Sequence, residues 1–228
     1  MNRKPTYAFM MSLGLLAGCA AGGPTTETHM SDLPKDIHPE TRSRLTQLKR
    51  EQLDETGKRV YDSVLDPKRP TLAGFQGPAG IWLHSPKVGE PIREFNRILR
   101  TEVQLEPRLR ELAILVTARE LDNQFEWTAH EPAALADGLS QDVIDVVKYR
   151  RPADGLAPEE SAIIAFGREV LRDKKVSSET FARAVELFGH EGVVNLAALM
   201  GNYAATAIML NAVDQHVHPE RVPLLPLP

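Results

Sequence analysis

The 228-residue sequence contains a single cysteine, Cys19, and only 6% aromatic residues. One cysteine can form neither an intramolecular disulfide nor a pair of redox-active thiols. The sequence has no glycine-rich phosphate loop and no GxGxxG pattern, so nucleotide binding has no support. The net charge is −4 and no dense basic patch occurs, which gives no electrostatic case for nucleic acid. No segment shows the alternation of a β-strand, and we therefore predict an all-α fold.

The first 19 residues are typical of an export signal. Arg3 and Lys4 supply positive charge, and the apolar run Tyr7–Leu16 is too short to span a bilayer. The next residues, ending Leu-Ala-Gly-Cys19, resemble a bacterial lipobox, in which the cysteine becomes the lipid-modified N-terminus. The resemblance implies an exported protein that is anchored to the membrane through a lipid on Cys19. It would face the periplasm, with the outer membrane preferred in a Gram-negative cell.

The composition divides the rest of the chain into three parts. Residues 20–40 are small, polar and rich in turn formers, and we expect them to form a flexible tether. Residues 41–220 carry the apolar periodicity of a helical domain, and 42% hydrophobic content is enough for one core. Residues 221–228 form a proline-rich tail.

The sequence around residue 110 predicts a buried helix. Pro107 suits a first-turn position, and the positions from Leu109 to Leu121 are apolar almost all round. Glu111 lies inside this helix, where a charge is costly without a partner. Upstream, Ile92–Val103 predicts an amphipathic helix with Arg100 on its solvent-facing side.

A second helix begins after Asp122 and Asn123, which predict a stop followed by a new cap. Glu126 and His130 lie four residues apart and share a face of this helix with Asn123. If the two helices meet at the break, Glu111 lies beside His130, and such a carboxylate–imidazole pair suits proton transfer. The alternative is structural: Asn123 and Glu126 form a capping box, and His130 is a hydrogen-bonded core residue.

The stretch from Glu106 to His130 resembles the core motif of the carboxymuconolactone decarboxylase family, which includes the AhpD-like alkylhydroperoxidases. In that family a Glu lies twelve positions before a Cys-x-x-Cys-x-x-x-His segment. Glu111 and His130 match the Glu and the His, whereas Asn123 and Glu126 occupy the cysteine positions. The run from Phe125 to His130 is similar to the cysteine-free branch of the family. The resemblance extends roughly from Gly77 to Val213.

This resemblance implies an AhpD-like helical domain that assembles into a homo-oligomer, a trimer or a hexamer. The residues and the resemblance together predict a site without metal or cofactor. The predicted catalytic residues are His130, Glu111 and Glu126, and the predicted substrate-binding residues are Asn123, Trp127, His84 and Tyr203. Peroxide reduction requires a nucleophilic and a resolving thiol, which Asn123 and Glu126 cannot provide.

Two function hypotheses follow. In the first, the chain is a cofactor-free acid/base enzyme that acts on a small lactone or carboxylic acid, by decarboxylation or isomerisation. In the second, it is a lipid-anchored binding or scaffold protein that has kept the fold without the chemistry. The second hypothesis predicts that His130 and Glu111 are packed away with no cavity beside them.

Overall fold

Helices make up the regular structure in the described part of the chain, which is residues 33–67 and 71–227 of a computed structural model. No β-strand forms within these ranges, and the prediction of an all-α fold is confirmed. Cys19, the export signal and residues 20–32 of the expected tether lie outside the described residues. After a short 3-10 helix (Arg50–Gln52), the helices are α1 (Glu55–Val64), α2 (Pro78–Trp82), α3 (Pro86–Thr101), α4 (Pro107–Glu120), α5 (Gln124–Ala136), α6 (Gln141–Lys148), α7 (Pro158–Arg168) and α8 (Ser178–Ala212).

Helix α4 is the central element. It starts with Pro107 at a first-turn position, and every residue from Glu111 to Arg119 is buried. Helices α5, α6, α7 and α8 all pack against it. This surrounding explains why α4 is apolar on nearly every side, as the sequence indicates.

Helices α4 and α5 form a hairpin. Asp122 takes the left-handed conformation (φ 47°), which short polar side chains tolerate, and Asn123 caps α5 by accepting the Glu126 N–H over 2.9 Å. Helix α5 continues through Pro132 to Ala136, and the chain leaves it through Gly138 (φ 90°). The short break folds α5 back along α4, and this places residues 111 and 130 side by side.

Helix α8 bends at Gly189, whose φ of 69° and ψ of 173° are not helical. The glycine separates the segments before and after it without a Cβ penalty. By length and composition α8 is apolar enough to cross a membrane, but half of its most apolar window is buried against the rest of the protein, as in a core helix. Its second segment exposes an apolar stripe that includes Val194 and Ile208, which are 66% and 64% exposed.

Both ends of the described chain pack onto the helices. The compact unit begins at Leu33, within the segment that the sequence predicted to be a tether. Ile37 is buried, and the backbone of His38 pairs with that of Ser43. In the C-terminal tail, Leu225 is only 4% exposed and joins the main core. The Leu224 N–H donates to Thr128 of α5 over 3.2 Å. The tail is therefore part of the wall around α5.

Candidate active site

The centre of the candidate site is a hydrogen bond between α4 and α5. The Nδ1 atom of His130 lies 2.6 Å from Oε2 of Glu111. Glu111 is fully buried and His130 is 4% exposed. Because an ionised carboxylate can only accept, His130 donates its Nδ1–H. The helical hairpin thus gives the buried Glu111 the partner that its charge requires.

Glu126 faces the other ring nitrogen. Its Oε2 lies 3.4 Å from His130 Nε2, one helical turn away on α5, and the residue is 3% exposed. Asn123 does cap α5, but its own N–H donates to the Ala118 carbonyl and not to Glu126. The capping box is therefore only half formed, and the carboxylate of Glu126 faces His130 instead.

Residues from α3 and α8 complete the cluster. Arg100 donates to Oε1 of Glu111 over 2.9 Å and to the Tyr203 hydroxyl over 2.8 Å. The Tyr203 ring meets the His130 ring edge-on, with their centroids 5.1 Å apart. The expectation that Arg100 faces solvent was wrong, since its side chain is only 27% exposed. Its long stem carries the guanidinium inward from the edge of the amphipathic face.

The charges of this cluster set the protonation of its members. Burial alone would lower the pKa of His130, but hydrogen bonds and charges from Glu111 and Glu126 outweigh it and raise the pKa to about 8. Burial alone would raise the pKa of Glu111, but His130 and Arg100 hold it below its usual range. Burial and the two carboxylates raise the pKa of Tyr203 despite Arg100. At neutral pH the site therefore holds an imidazolium, an ionised Glu111 and a neutral phenol.

This arrangement suits proton transfer. One ring nitrogen of His130 is anchored by Glu111, while the other faces a second carboxylate, so the ring can give up a proton and recover it without turning. Within residues 33–67 and 71–227, no cluster of three or more His, Cys, Asp or Glu side chains is placed to hold a metal ion.

Asn123 lies at the base of the site and is occupied by structural contacts. Its amide nitrogen donates to the Ala207 carbonyl over 3.3 Å and to Oδ1 of Asn211 over 2.8 Å, while its oxygen caps α5. The residue is 2% exposed. It fixes the α4–α5 break against α8, and so sets where Glu126 and His130 point.

The structure does not bring Trp127 and His84 to the His130 cluster. Trp127 is fully buried, and its indole N–H donates to Glu131, one turn later on α5. Glu131 in turn pairs with Lys148 of α6. His84 is exposed, and its Nε2 lies 3.0 Å from the Thr46 carbonyl. Tyr203 is the one predicted substrate-binding residue whose side chain touches the His130 ring.

A cavity in the described chain lies beside α5. Its volume is about 400 Å³, and α5, the segment before α2 and the residues after α8 enclose it. Phe125, Thr128 and Ala129 contribute the α5 wall, while the His130 side chain is not part of the lining. His130 is thus buried beside this cavity without lining it, and Arg100 is the most exposed member of the cluster.

Part of this chain matches a known protein family. Residues 86–168 match the model of the carboxymuconolactone decarboxylase family. The matched segment runs from α3 to α7, so it contains Arg100, Glu111, Glu126 and His130, whereas Tyr203 lies beyond it. No curated protein matches the chain.

A solved structure shares the fold. It is the alkylhydroperoxidase AhpD core, an uncharacterized peroxidase-related protein from Ralstonia eutropha JMP134. The TM-score is 0.63 at 16% identity, and the alignment covers 77% of this chain and 92% of that chain. A likeness at this identity establishes the AhpD-like fold and leaves the activity to the site itself.

Sequence reasoning missed Arg100 as a member of the cluster. The signal was present in part: a buried Glu111 needs a cation, and Arg100 lies on the helix directly before it. The Ile92–Val103 pattern instead placed Arg100 with the charged, solvent-facing residues of α3. Only the tertiary structure, in which α3 packs against α8, brings its guanidinium to Glu111 of α4.

Proposed function

We propose that this chain is a cofactor-free acid/base enzyme that acts on a small lactone or carboxylic acid, by decarboxylation or isomerisation. The observation that carries the proposal is the position of His130 between two carboxylates, with Glu111 at Nδ1 over 2.6 Å and Glu126 near Nε2 at 3.4 Å. The match of residues 86–168 to the carboxymuconolactone decarboxylase family supports the substrate class.

In a decarboxylation, the bond between the substrate carbon and its carboxylate breaks, and the electron pair moves into the conjugated lactone as a dienolate. CO₂ leaves, and His130 delivers its Nε2 proton to carbon. Glu111 keeps the ring oriented and stabilises its charged form. Glu126 serves as the second carboxylate, which relays a proton from solvent back to the ring. An isomerisation uses the same groups to remove a proton from one carbon and return it to another.

The proposal does not include dithiol peroxidase activity. That reaction requires a thiolate and a resolving thiol, and the two cysteine positions of the motif hold Asn123 and Glu126. The only cysteine of the chain is Cys19, far outside the motif.

The test is turnover of a panel of carboxylated unsaturated lactones by the full chain, followed by ultraviolet absorbance and CO₂ release. We expect His130→Gln to abolish turnover, and His190→Gln, which changes an exposed histidine on α8, to leave it unchanged. Equal turnover in the wild type and His130→Gln would place the chemistry elsewhere.

A second candidate function is a non-catalytic binding or scaffold protein. The burial of the cluster favours it, since Glu111 is fully buried, His130 is 4% exposed and the 400 Å³ cavity is not lined by the His130 side chain. Absence of turnover by the folded wild type across the whole panel would select this function over the enzyme.

We also propose that the chain is exported and anchored on the periplasmic side of the envelope through a lipid on Cys19. The support is the lipobox-like sequence before Cys19 and the short apolar run that precedes it. Metabolic labelling with a fatty acid should mark the wild type and fail to mark Cys19→Ser. Labelling of both proteins would exclude Cys19 as the anchor.

We propose in addition that copies of this chain assemble through α8. The exposed stripe Val194, Ala197, Gly201, Ala205 and Ile208 repeats every three or four residues, and its small members permit close approach of two helices. Ile208→Glu should lower the mass measured by light scattering, whereas Phe181→Glu on the first segment of α8 should not. A wild type that stays monomeric would contradict this.

A further inference from the structure

One guanidinium joins three helices at the candidate site. Arg100 extends from α3 and donates through Nη1 to Tyr203 of α8 over 2.8 Å and through Nη2 to Oε1 of Glu111 on α4 over 2.9 Å. Planar guanidinium groups suit such two-partner contacts better than an ammonium. Arg100 thereby fixes the distance between the carboxylate that holds His130 and the phenol that packs against the same ring.

Both oxygens of Glu111 are used. Oε1 accepts from Arg100 and Oε2 accepts from Nδ1 of His130. The charge and hydrogen bond of Arg100 stabilise the ionised form of Glu111, because protonation of this carboxylate would remove the ion pair of a largely buried guanidinium. Glu111 therefore stays ionised and does not carry the Nδ1 proton away from the ring.

Nε2, the second ring nitrogen of His130, faces a different carboxylate. Nε2 of His130 lies 3.4 Å from Oε2 of Glu126, with no arginine recorded on that carboxylate among the described contacts. The charge and hydrogen bond of Arg100 therefore act on the Glu111 side of the ring and have no counterpart at Glu126 within the described residues. The two nitrogens of one ring are thus unequal, and the inequality originates at Arg100.

We infer that Arg100 is a positioning residue that directs proton exchange at His130 to Nε2: its guanidinium holds Glu111 as a permanently ionised partner of Nδ1 and leaves Nε2 and Glu126 to exchange protons. The inference rests on the proposed acid/base role of His130 and adds the direction of transfer. It also assigns a role to a residue that does not touch the ring.

The sign of one measurable change follows from the charges around the ring. These are Arg100 on α3, Arg110 and Glu111 on α4, Glu126 on α5 and Tyr203 on α8, with Arg110 Nε 3.9 Å from Glu111 Oε1. Removal of the Arg100 charge leaves Glu111 with a stronger hold on His130, so the pKa of His130 rises. A loosened site filled with water would instead return that pKa toward the ordinary value of about 6.5.

The experiment is a pH titration of the full chain labelled with ¹⁵N-histidine, followed by NMR, with His130→Gln to assign the signal. We expect the ring to lose its proton from Nε2 and to keep Nδ1 protonated above its pKa. Arg100→Gln should raise the pKa by roughly half a unit or more. Arg100→Lys, which keeps the charge, should leave it close to wild type.

The matched control is Arg97→Gln, one turn earlier on α3, where the arginine pairs with Glu94 and Glu102. It should leave the His130 titration unchanged. A pKa that is unchanged or lowered in Arg100→Gln would overturn the inference, and so would a wild-type ring that keeps its proton on Nε2. The protonated nitrogen of the wild-type ring is measured without any variant, so this outcome does not depend on whether a variant folds. Absence of turnover with the expected titration would reject the enzyme proposal alone.

Discussion

The Nε2 atom of His130 lies 3.4 Å from Oε2 of Glu126, which occupies the second cysteine position of the motif that this sequence resembles. A carboxylate at this point changes what the site can do. A thiol would bring nucleophilic and redox chemistry, whereas Glu126 brings only charge and a proton. With Glu111 on Nδ1, the ring is held between two acids.

The first prediction concerns stability against pH. The pKa of His130 in the folded protein is about 8, above its unfolded value of about 6.5. The resulting stabilisation is fully present below about pH 6.5 and is lost as the pH rises through 8, with a size of about 2 kcal/mol. Chemical denaturation of the wild type at pH 6 and pH 9 should show this fall, beyond any change seen in His130→Gln. Parallel pH dependence in the two proteins would contradict the coupling.

The second prediction concerns the cap of α5. Asn123→Ala removes the cap and both hydrogen bonds to α8 from a residue that is 2% exposed. We expect a loss of roughly 2–3 kcal/mol in the free energy of unfolding. Ser140→Ala, which removes an exposed cap of α6, should cost about 1 kcal/mol. An equal cost for both variants would mean that Asn123 acts only as a cap.

The third prediction concerns the buried ion pair between α5 and α6. Lys148 Nζ lies 2.8 Å from Glu131 Oε1, and both side chains are at most 10% exposed. Lys148→Met leaves Glu131 charged and unpaired, at a cost of roughly 3–5 kcal/mol. The double variant with Glu131→Gln should cost less than Lys148→Met alone.

The control for this pair is Lys58→Met, which breaks the surface ion pair with Glu55. It should change the free energy of unfolding by less than about 1 kcal/mol. A double variant that is less stable than Lys148→Met would show that the hydrogen bond of Glu131 to Trp127 outweighs the charge.

The fourth prediction concerns the C-terminal tail. Leu225 is 4% exposed within the main core, whereas Leu227 is 51% exposed. Leu225→Ala should lower the free energy of unfolding by roughly 2–4 kcal/mol, and Leu227→Ala by no more than about 0.5. Equal and small effects would mean that the tail does not contribute to the core.

Some features of the fold and of the site can be predicted from the sequence. Helix periodicity, Pro107 and Asn123 lead to the all-α fold, because apolar spacing and caps are local properties. The meeting of Glu111 and His130 is also expected from the sequence, since a buried carboxylate needs a partner and the break at Asp122 and Asn123 allows a hairpin.

Other features depend on contacts that no local pattern encodes. Arg100 and Lys148 lie on helices whose charges look solvated, and only tertiary packing brings them to Glu111 and Glu131. Leu225 stands in a proline-rich tail without periodicity, so its burial has no signal in the sequence. Trp127, next to the motif residue Glu126, is fully buried in the main core, where its indole N–H donates to Glu131.

The most direct test of the acid/base centre is deuterium incorporation in D₂O. Lactones from the panel are incubated with the full chain, and the product is examined by proton NMR and mass spectrometry. We expect one deuterium on carbon for each CO₂ released by the wild type and no product with His130→Gln. Decarboxylated product formed by the wild type without deuterium at carbon, or labelled equally by His130→Gln, would contradict a proton transfer by His130.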